Sequence, residues 1–447
     1  MVCQEELEKW KKKKEKPTFN DVVNYFHSIL EKFPDKRTGN NTKYKMEDAA
    51  LGGFSVFFTQ CPSFLAHQRA IQKAKGMSNA QSLFKMSDIP TDNHIRNLLD
   101  EVSPTYVFPV FEYVYDIFNT TNILDSFRSF NNNLLVPLDG VQYYSSNNIH
   151  GDCCNKKHHK NGEINYFHSA IVAAIVKPGC DKVIALQPEF ITPQDGEKKE
   201  DCENAAGKRW LNKYGEFYSK FGVTILGDDL YCKQPVVELI LKQGFSFILT
   251  CKPDSHKTLY EYVNFLAEDI NTVEIERWEG KKCYIDKYRF YNGVPLRDGE
   301  DALEVNWCEL STTRKKDGKI VYKNAFATNF TITEENVIEI VRDGRARWKI
   351  ENENNNVLKT KGYNLEHNFG HGKKHLSSLL FTFNLLAYLF HTLLEFFDKK
   401  YELVRRNLPT RKTFFEHIRA LTTYMYFKNW NHLMIFMLEG LEIDIPE

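Results

Sequence analysis

NNLLVPLDGVQYYSS, residues 132–146, is an apolar run that turns into alternation, as in a strand buried at one end and half-buried at the other. Outward from it, FHSAIVAAIVKPG (167–179) reads as a second strand with a Pro-Gly stop, and KVIALQPEFI (182–191) as a third. The charged stretch 197–222 reads as a long helix. VTILGDD (223–229) reads as a buried strand, QPVVELILKQG (234–244) as a helix and FSFILTCKP (245–253) as another strand. Three strands, helix, strand, helix, strand predict an antiparallel meander followed by parallel strands, an α/β fold.

Helical text surrounds this segment. Residues 1–130 show helical spacing at 21–33, 46–60, 63–76 and 93–102, punctuated by Pro62, Pro90 and Pro104. No helix-turn-helix is legible there, so DNA-end recognition falls to this region only by elimination. Residues 254–330 carry four strand-like runs, 273–278, 281–291, 303–312 and 319–329, and read as a separate β-rich piece. Thr333 is expected to cap a helix with Glu334 and Glu335 in its first turn, with helical text to about Lys359 and a break near Asp343-Gly344. Residues 373–447 are helical and apolar. The divisions expected are 1–130, a core of 131–253 with 331–372, an insertion at 254–330, and a C-terminal region at 373–447.

The 447 residues are 42% hydrophobic, enough for sizeable cores. Lys+Arg and Asp+Glu are both 59, so any nucleic-acid surface must be a local patch. Ten dispersed cysteines and a basic N-terminus without an apolar run predict free thiols in a reducing cytoplasm and no signal peptide. The run Lys11–Lys14 reads as a solvated face. Residues 377–397 are long enough to cross a bilayer. They contain Asn384, His391 and Glu395 and have no second such segment, which predicts a buried helix and no membrane partner.

Three acids stand out by position. Asp139 ends the first strand, Asp228 ends the fourth with Asp229 as competitor, and Glu351 lies on the helix after the β-rich piece. First and fourth strands can be neighbours, so their terminal carboxylates can converge and a packed helix can supply a third. Such oxygen donors suit Mg²⁺ or Mn²⁺ and two-metal phosphodiester chemistry. From Ile340 to His375 there are eight Lys/Arg and four Asp/Glu, a basic strip able to follow a DNA backbone.

With these residues in place, the core resembles insertion-sequence DDE transposases whose RNase H-like catalytic core carries a β-rich insertion before the catalytic Glu. The resemblance covers roughly 132–375 and rests most on RWKIENENNNVLKTKGYNLEHNFGHGKKH (347–375). That family marks its last acid with Tyr, two residues, Arg, three residues, Glu, six residues, Lys. Arg347 and Glu351 fit; position 344 is Gly and 358 is Leu, with Lys359 one step on and Lys361 and Tyr363 nearby. Asp228 and Tyr231 fit its Asp-x-x-Tyr pattern. The resemblance implies metal-dependent cleavage of transposon ends, by a hairpin or non-hairpin route, and transfer of the 3′-OH strand to target DNA. It also implies Asp139, Asp228 and Glu351 as metal ligands, a homodimer on DNA, and nucleoid association when bound. A transposase-derived DNA-binding protein without turnover, or a nuclease that does not transpose, would keep the same core. Expected DNA contacts are Arg347, Lys359, Lys361, Lys373, Lys374 and, by base stacking, Trp307, with Trp278 as a second aromatic.

Two further clusters carry candidate chemistry. His150, Cys153, Cys154, His158 and His159 could hold Zn²⁺ or form a polar hairpin tip. Asp195, Glu197, Asp201 and Glu203 read as helix capping and dipole compensation. GHGKKH (370–375) does not match a phosphate loop.

Overall fold

A computed structural model describes residues 19–38, 42–193, 202–266 and 268–444. The run Lys11–Lys14 and Asp195, Glu197 and Asp201 lie outside the described residues. Among the described residues, six α-helices come first: α1 (Phe19–Leu30), α2 (Met46–Phe58), α3 (Phe64–Ile71), α4 (Ala74–Phe84), α5 (Asp92–Leu99) and α6 (Phe108–Thr120). Strands β1 (Leu134–Ser146), β2 (Asn155–His158), β3 (Ile164–Ile175), β4 (Ile184–Ala185) and β5 (Glu189–Ile191) follow. Next come α7 (Glu203–Tyr218), β6 (Val223–Gly227), α8 (Gln234–Lys242), β7 (Ser246–Thr250) and α9 (Lys257–Phe265). Four long strands, β8 (Asn271–Glu279), β9 (Lys282–Pro295), β10 (Glu304–Arg314) and β11 (Ile320–Thr328), lead to α10 (Val337–Arg345). A π-helical turn (Ile350–Asn355) and α11 (Asn356–Thr360) precede α12 (Leu376–Phe397), α13 (Lys399–Asn407), α14 (Arg411–Tyr424) and α15 (Trp430–Gly440).

The result is a mixed α/β fold around one sheet, with strands in the order β2-β3-β1-β6-β7-β11-β10-β9-β8 and β4 and β5 also paired to β3. β1 runs antiparallel to β3 and parallel to β6, and β6 is parallel to β7. Residues 134–138 are all buried, as expected of an apolar run between two neighbouring strands. An irregularity between Gln142 and Tyr144 turns two successive tyrosines inward: Tyr143 stacks on Phe381 at 4.3 Å, and Tyr144 lies 4.8 Å from the His371 ring.

The sequence reads 254–330 as a separate piece, and this is corrected. β11 pairs antiparallel with β7, so the four strands extend the main sheet rather than forming their own. The stretch also contains α9, which alternation-based reading missed. α10 begins at Val337, four residues after Thr333, so Glu334 and Glu335 lie in the preceding turn. The helix breaks at 346–347 rather than at Asp343-Gly344.

Helices from the two ends of the chain pack together. Phe26 and Phe54 meet Phe383 and Phe390 of α12, and Phe58 meets Trp430 of α15. α12 is the one described helix long and apolar enough to span a bilayer, and 89% of its most apolar window is buried inside the protein. His391, Glu395 and the Asn384 Nδ2 amide are satisfied internally, while Asn384 Oδ1 is buried without a partner. His391 Nε2 lies 3.0 Å from the Phe58 carbonyl oxygen and its Nδ1 2.6 Å from the Tyr363 hydroxyl, while Arg411 donates to both Tyr363 and Glu395. This is how a core helix accommodates polar groups.

Candidate active site

Pro137 on β1 faces Leu226 on β6, in parallel register. Two residues beyond this pair stand Asp139, which lies within β1 rather than at its end because the strand continues to Ser146, and Asp228, just past the end of β6. The π-helical turn after α10 packs on β1 and carries Glu351. From the same turn, Asn355 Nδ2 donates to Asp139 Oδ2 at 2.8 Å. Arg347 Nη1 donates to Glu351 Oε1 at 2.6 Å, the i,i+4 pair expected on one helix face. π-Turns are uncommon and often mark functional positions.

Electrostatics tie these groups together. Burial is the main reason that Asp139 is pushed up to about 7; the charges of Glu351, Glu203 and Asp228 push the same way, and Arg347 opposes them. Glu203, the first residue of α7, is the acid that sequence reading missed as a site member. A Cβ on Gly140 would fall 2.6 Å from its carboxylate, so the glycine after Asp139 is what admits it. Burial and Asp228 raise the Glu203 pKa, and the Gly140 amide lowers it. Tyr231 is also drawn in: burial, then Glu203, Asp139 and Asp228, hold its hydroxyl well above its ordinary range. Glu203 looked like a helix-dipole residue because it is one; only the tertiary fold shows that the helix start abuts β1.

Asp229 faces elsewhere. Its Oδ1 accepts the Lys252 amide at 2.7 Å and lies 3.3 Å from His256 Nε2, while Asp228 closes its own turn by accepting the Leu230 amide. Of the two neighbouring aspartates, Asp228 is therefore the one in electrostatic contact with Asp139. Asp139, Asp228 and Glu351 are not among the groups of three whose donor atoms all lie within 4.8 Å of one another among the described residues.

The basic strip is partly occupied by internal pairs. Lys359 pairs with Glu366 at 2.9 Å and Lys374 with Glu101 at 2.7 Å, while the Lys373 and Lys374 amides donate to Asp100. Lys361 is exposed. Exposed pairs of this kind are worth about 0–1 kcal/mol, so phosphate can displace them.

Trp307 requires correction. It is 1% exposed on β10, beneath Arg289 and edge-on to Tyr260, so no base can reach it in this fold. Trp278 is exposed on the edge strand β8. Sequence reading overlooked Trp348, which is 46% exposed between Arg347 and Lys349 and shares a concavity with Arg342 and Arg345. An aromatic flanked by cations was a usable signal.

The histidines near Cys153 and Cys154 are also reassigned. His150 stacks on Tyr166, and His158 and His159 are exposed on the β2–β3 hairpin. The thiols instead meet His168 and His371. No protein-family model matches the chain, and no curated protein is significantly similar to it.

Proposed function

We propose that the chain is a DDE-type DNA transposase that cleaves transposon ends and transfers the freed 3′-OH strand to target DNA. The observation that carries this reading is the position of Asp139 on β1 and Asp228 just past the neighbouring parallel strand β6, each two residues beyond the Pro137–Leu226 pair, with Asp228 and Glu351 both acting on the Asp139 carboxyl. The strand order supports it: an antiparallel meander with β1 at its inner side, then two parallel strands, is compatible with the RNase H-like core that the resemblance implies.

The residues suit Mg²⁺ or Mn²⁺. Burial foremost, and then the neighbouring carboxylates, raise Asp139, and a divalent cation would relieve the repulsion among the four acids. Asp139, Asp228 and Glu351 would hold the ions, with Glu203 as an additional acid. When bound, the metals supply an activated oxygen nucleophile and charge stabilisation at the leaving oxygen. Arg347 keeps Glu351 oriented and Asn355 does the same for Asp139. Lys361, Lys373, Lys374 and Trp348 would follow the DNA end, and cutting two ends calls for a homodimer on DNA.

Purified protein incubated with DNA bearing the element's terminal repeats and Mg²⁺ or Mn²⁺ should release 3′-OH ends. Asp139→Ala, Asp228→Ala and Glu351→Ala should each reduce cleavage by at least about 10³-fold while retaining most DNA binding. Specific binding without cleavage would identify a binding protein, and cleavage without strand transfer a nuclease. Full activity in the Asp228→Ala protein would discard the site.

A further inference from the structure

A second set of donor side chains converges away from the carboxylates. Cys153 and Cys154 lie in the loop between β1 and β2, His168 on β3, and His371 in the segment between α11 and α12. Cys154 Sγ is 3.0 Å from His371 Nε2 and 3.5 Å from His168 Nε2, and the two Nε2 atoms are 3.0 Å apart. The donor atoms of Cys153, His168 and His371 all lie within 4.8 Å of one another. Cys154 and both histidines are buried, and Cys153 is half-buried.

These separations are those of ligands around one small ion. With Zn–N near 2.0–2.1 Å and Zn–S near 2.3 Å, tetrahedral geometry puts neighbouring donors about 3.3 Å apart for two nitrogens and about 3.6 Å for nitrogen and sulfur. Hydrogen bonding alone accounts for the cluster poorly. His371 Nδ1 lies 2.7 Å from the Gly372 carbonyl oxygen and must donate to it, which leaves Nε2 of the neutral ring a single lone pair. Cys154 and His168 would both compete for that lone pair. A backbone carbonyl on the far nitrogen is also the usual way that a metal-binding histidine is oriented. The loop is shaped for the same purpose: the Gly151 amide approaches Cys154 Sγ at 3.4 Å, and a Cβ on Gly151 would crowd His371 Cε1 at 3.2 Å.

We propose that Cys153, Cys154, His168 and His371 form a structural Cys₂His₂ zinc site. Two thiolates and two imidazoles select Zn²⁺ over Mg²⁺, and four protein ligands leave no position for substrate. The site fastens the segment that follows the Glu351 helix to β3 and the β1–β2 loop. It thereby fixes Lys373 and Lys374 near the sheet, with Asp100 holding their amides from the other side. This inference stands whether or not the carboxylates perform transposition.

The full chain should be purified without chelator and its zinc content measured, then reconstituted with Co²⁺. A second group, Cys232, Cys251 and His256, could bind metal separately, so Cys251→Ser serves as the background for every measurement. The expected result is one zinc per chain in that background, with X-ray absorption reporting two sulfurs and two imidazole nitrogens. The Co²⁺ form should show tetrahedral thiolate bands. Adding Cys154→Ser or His371→Gln should remove at least nine-tenths of the metal or broaden its coordination to oxygen donors. Absence of bound metal in the background protein, a coordination shell lacking two sulfurs, or metal content and spectra unchanged in both variants would overturn the site.

Discussion

Asp139 shares its surroundings with three other acids, and this has a measurable consequence in the absence of metal. Its folded-state pKa of about 7 lies above the 3.8 of an ordinary aspartate. The unfolded chain therefore releases this proton first. Below about pH 4 the group contributes no difference; as pH rises toward 7 the metal-free fold loses stability, by up to about 4 kcal/mol if Asp139 acted alone. Asp139→Asn removes the charge while keeping an oxygen and an amide for Asn355. The variant should melt several degrees above wild type at pH 8 in EDTA, and the gap should narrow at pH 5 and close by about pH 4. Mg²⁺ should raise the wild-type melting temperature more at pH 8 than at pH 6, since protons compete for Asp139, and should do little for the variant. An equal gap at both pH values would mean that Asp139 is ionised throughout. At this scale the sequence was informative only for residues whose place follows from their element. Asp228 follows the end of its strand as the sequence suggests, and Arg347 and Glu351 pair at the i,i+4 spacing, whereas Asp139, expected to end its strand, lies within β1, which runs on to Ser146. Glu203, His168 and His371 were not legible as site members, because only tertiary contacts bring them to their partners.

Helix α10 shows how packing decides what an element can carry. Gly344 stands where the resembling family has its Tyr, and the fold gives the reason. A Cβ there would sit 2.8 Å from both Ile248 Cγ2 on β7 and Phe326 Cδ1 on β11. The helix lies directly on the sheet, at the seam where β11 joins β7. Gly344→Ala should gain about 1 kcal/mol in helix propensity. Against this, two stiff buried side chains must move, and overpacking costs about 1–3 kcal/mol. The second effect should win, lowering the melting temperature by a few degrees and slowing cleavage if the displaced helix carries Glu351 with it. A more stable Gly344→Ala protein would show that α10 can lift without cost. Strand existence was legible in the alternation of 132–146 and 303–312, but the pairing of β11 with β7 was not. Alternation reports which face is buried and says nothing of which strand lies beside it. Short α9 was lost for a related reason, since nine residues among strand-like runs give too few turns to establish a period.

Across the whole molecule, the continuous sheet changes what removal of the β-rich segment would do. Were 254–330 an appended module, replacing 258–328 by a short Gly/Ser linker would leave a folded core. In this fold the excision removes β11, which donates and accepts backbone hydrogen bonds along β7 and supplies Thr328, whose hydroxyl donates to the Phe247 carbonyl oxygen. It also strips Phe326 and Ala327 from the buried core beneath α10. β7 would become an exposed apolar edge, a template for aggregation. The excised protein should therefore be insoluble or molten, with the loss of metal binding following from the loss of fold. The outer edge is different. Along β8 the side chains are mostly exposed, and the strand pairs only with β9. Replacing 270–280 with a short turn should leave a cooperative melting transition within a few degrees of wild type, although it removes the exposed Trp278. If the trimmed protein binds and cuts DNA ends at the wild-type rate, Trp278 has no part in holding the end, and Trp348 becomes the aromatic to substitute next. If it melts normally but cuts at least tenfold more slowly, the β8 edge contributes to DNA alignment rather than to stability. A soluble, cooperatively melting 258–328 excision would contradict the dependence of β7 on β11 and restore the segment as a separable module.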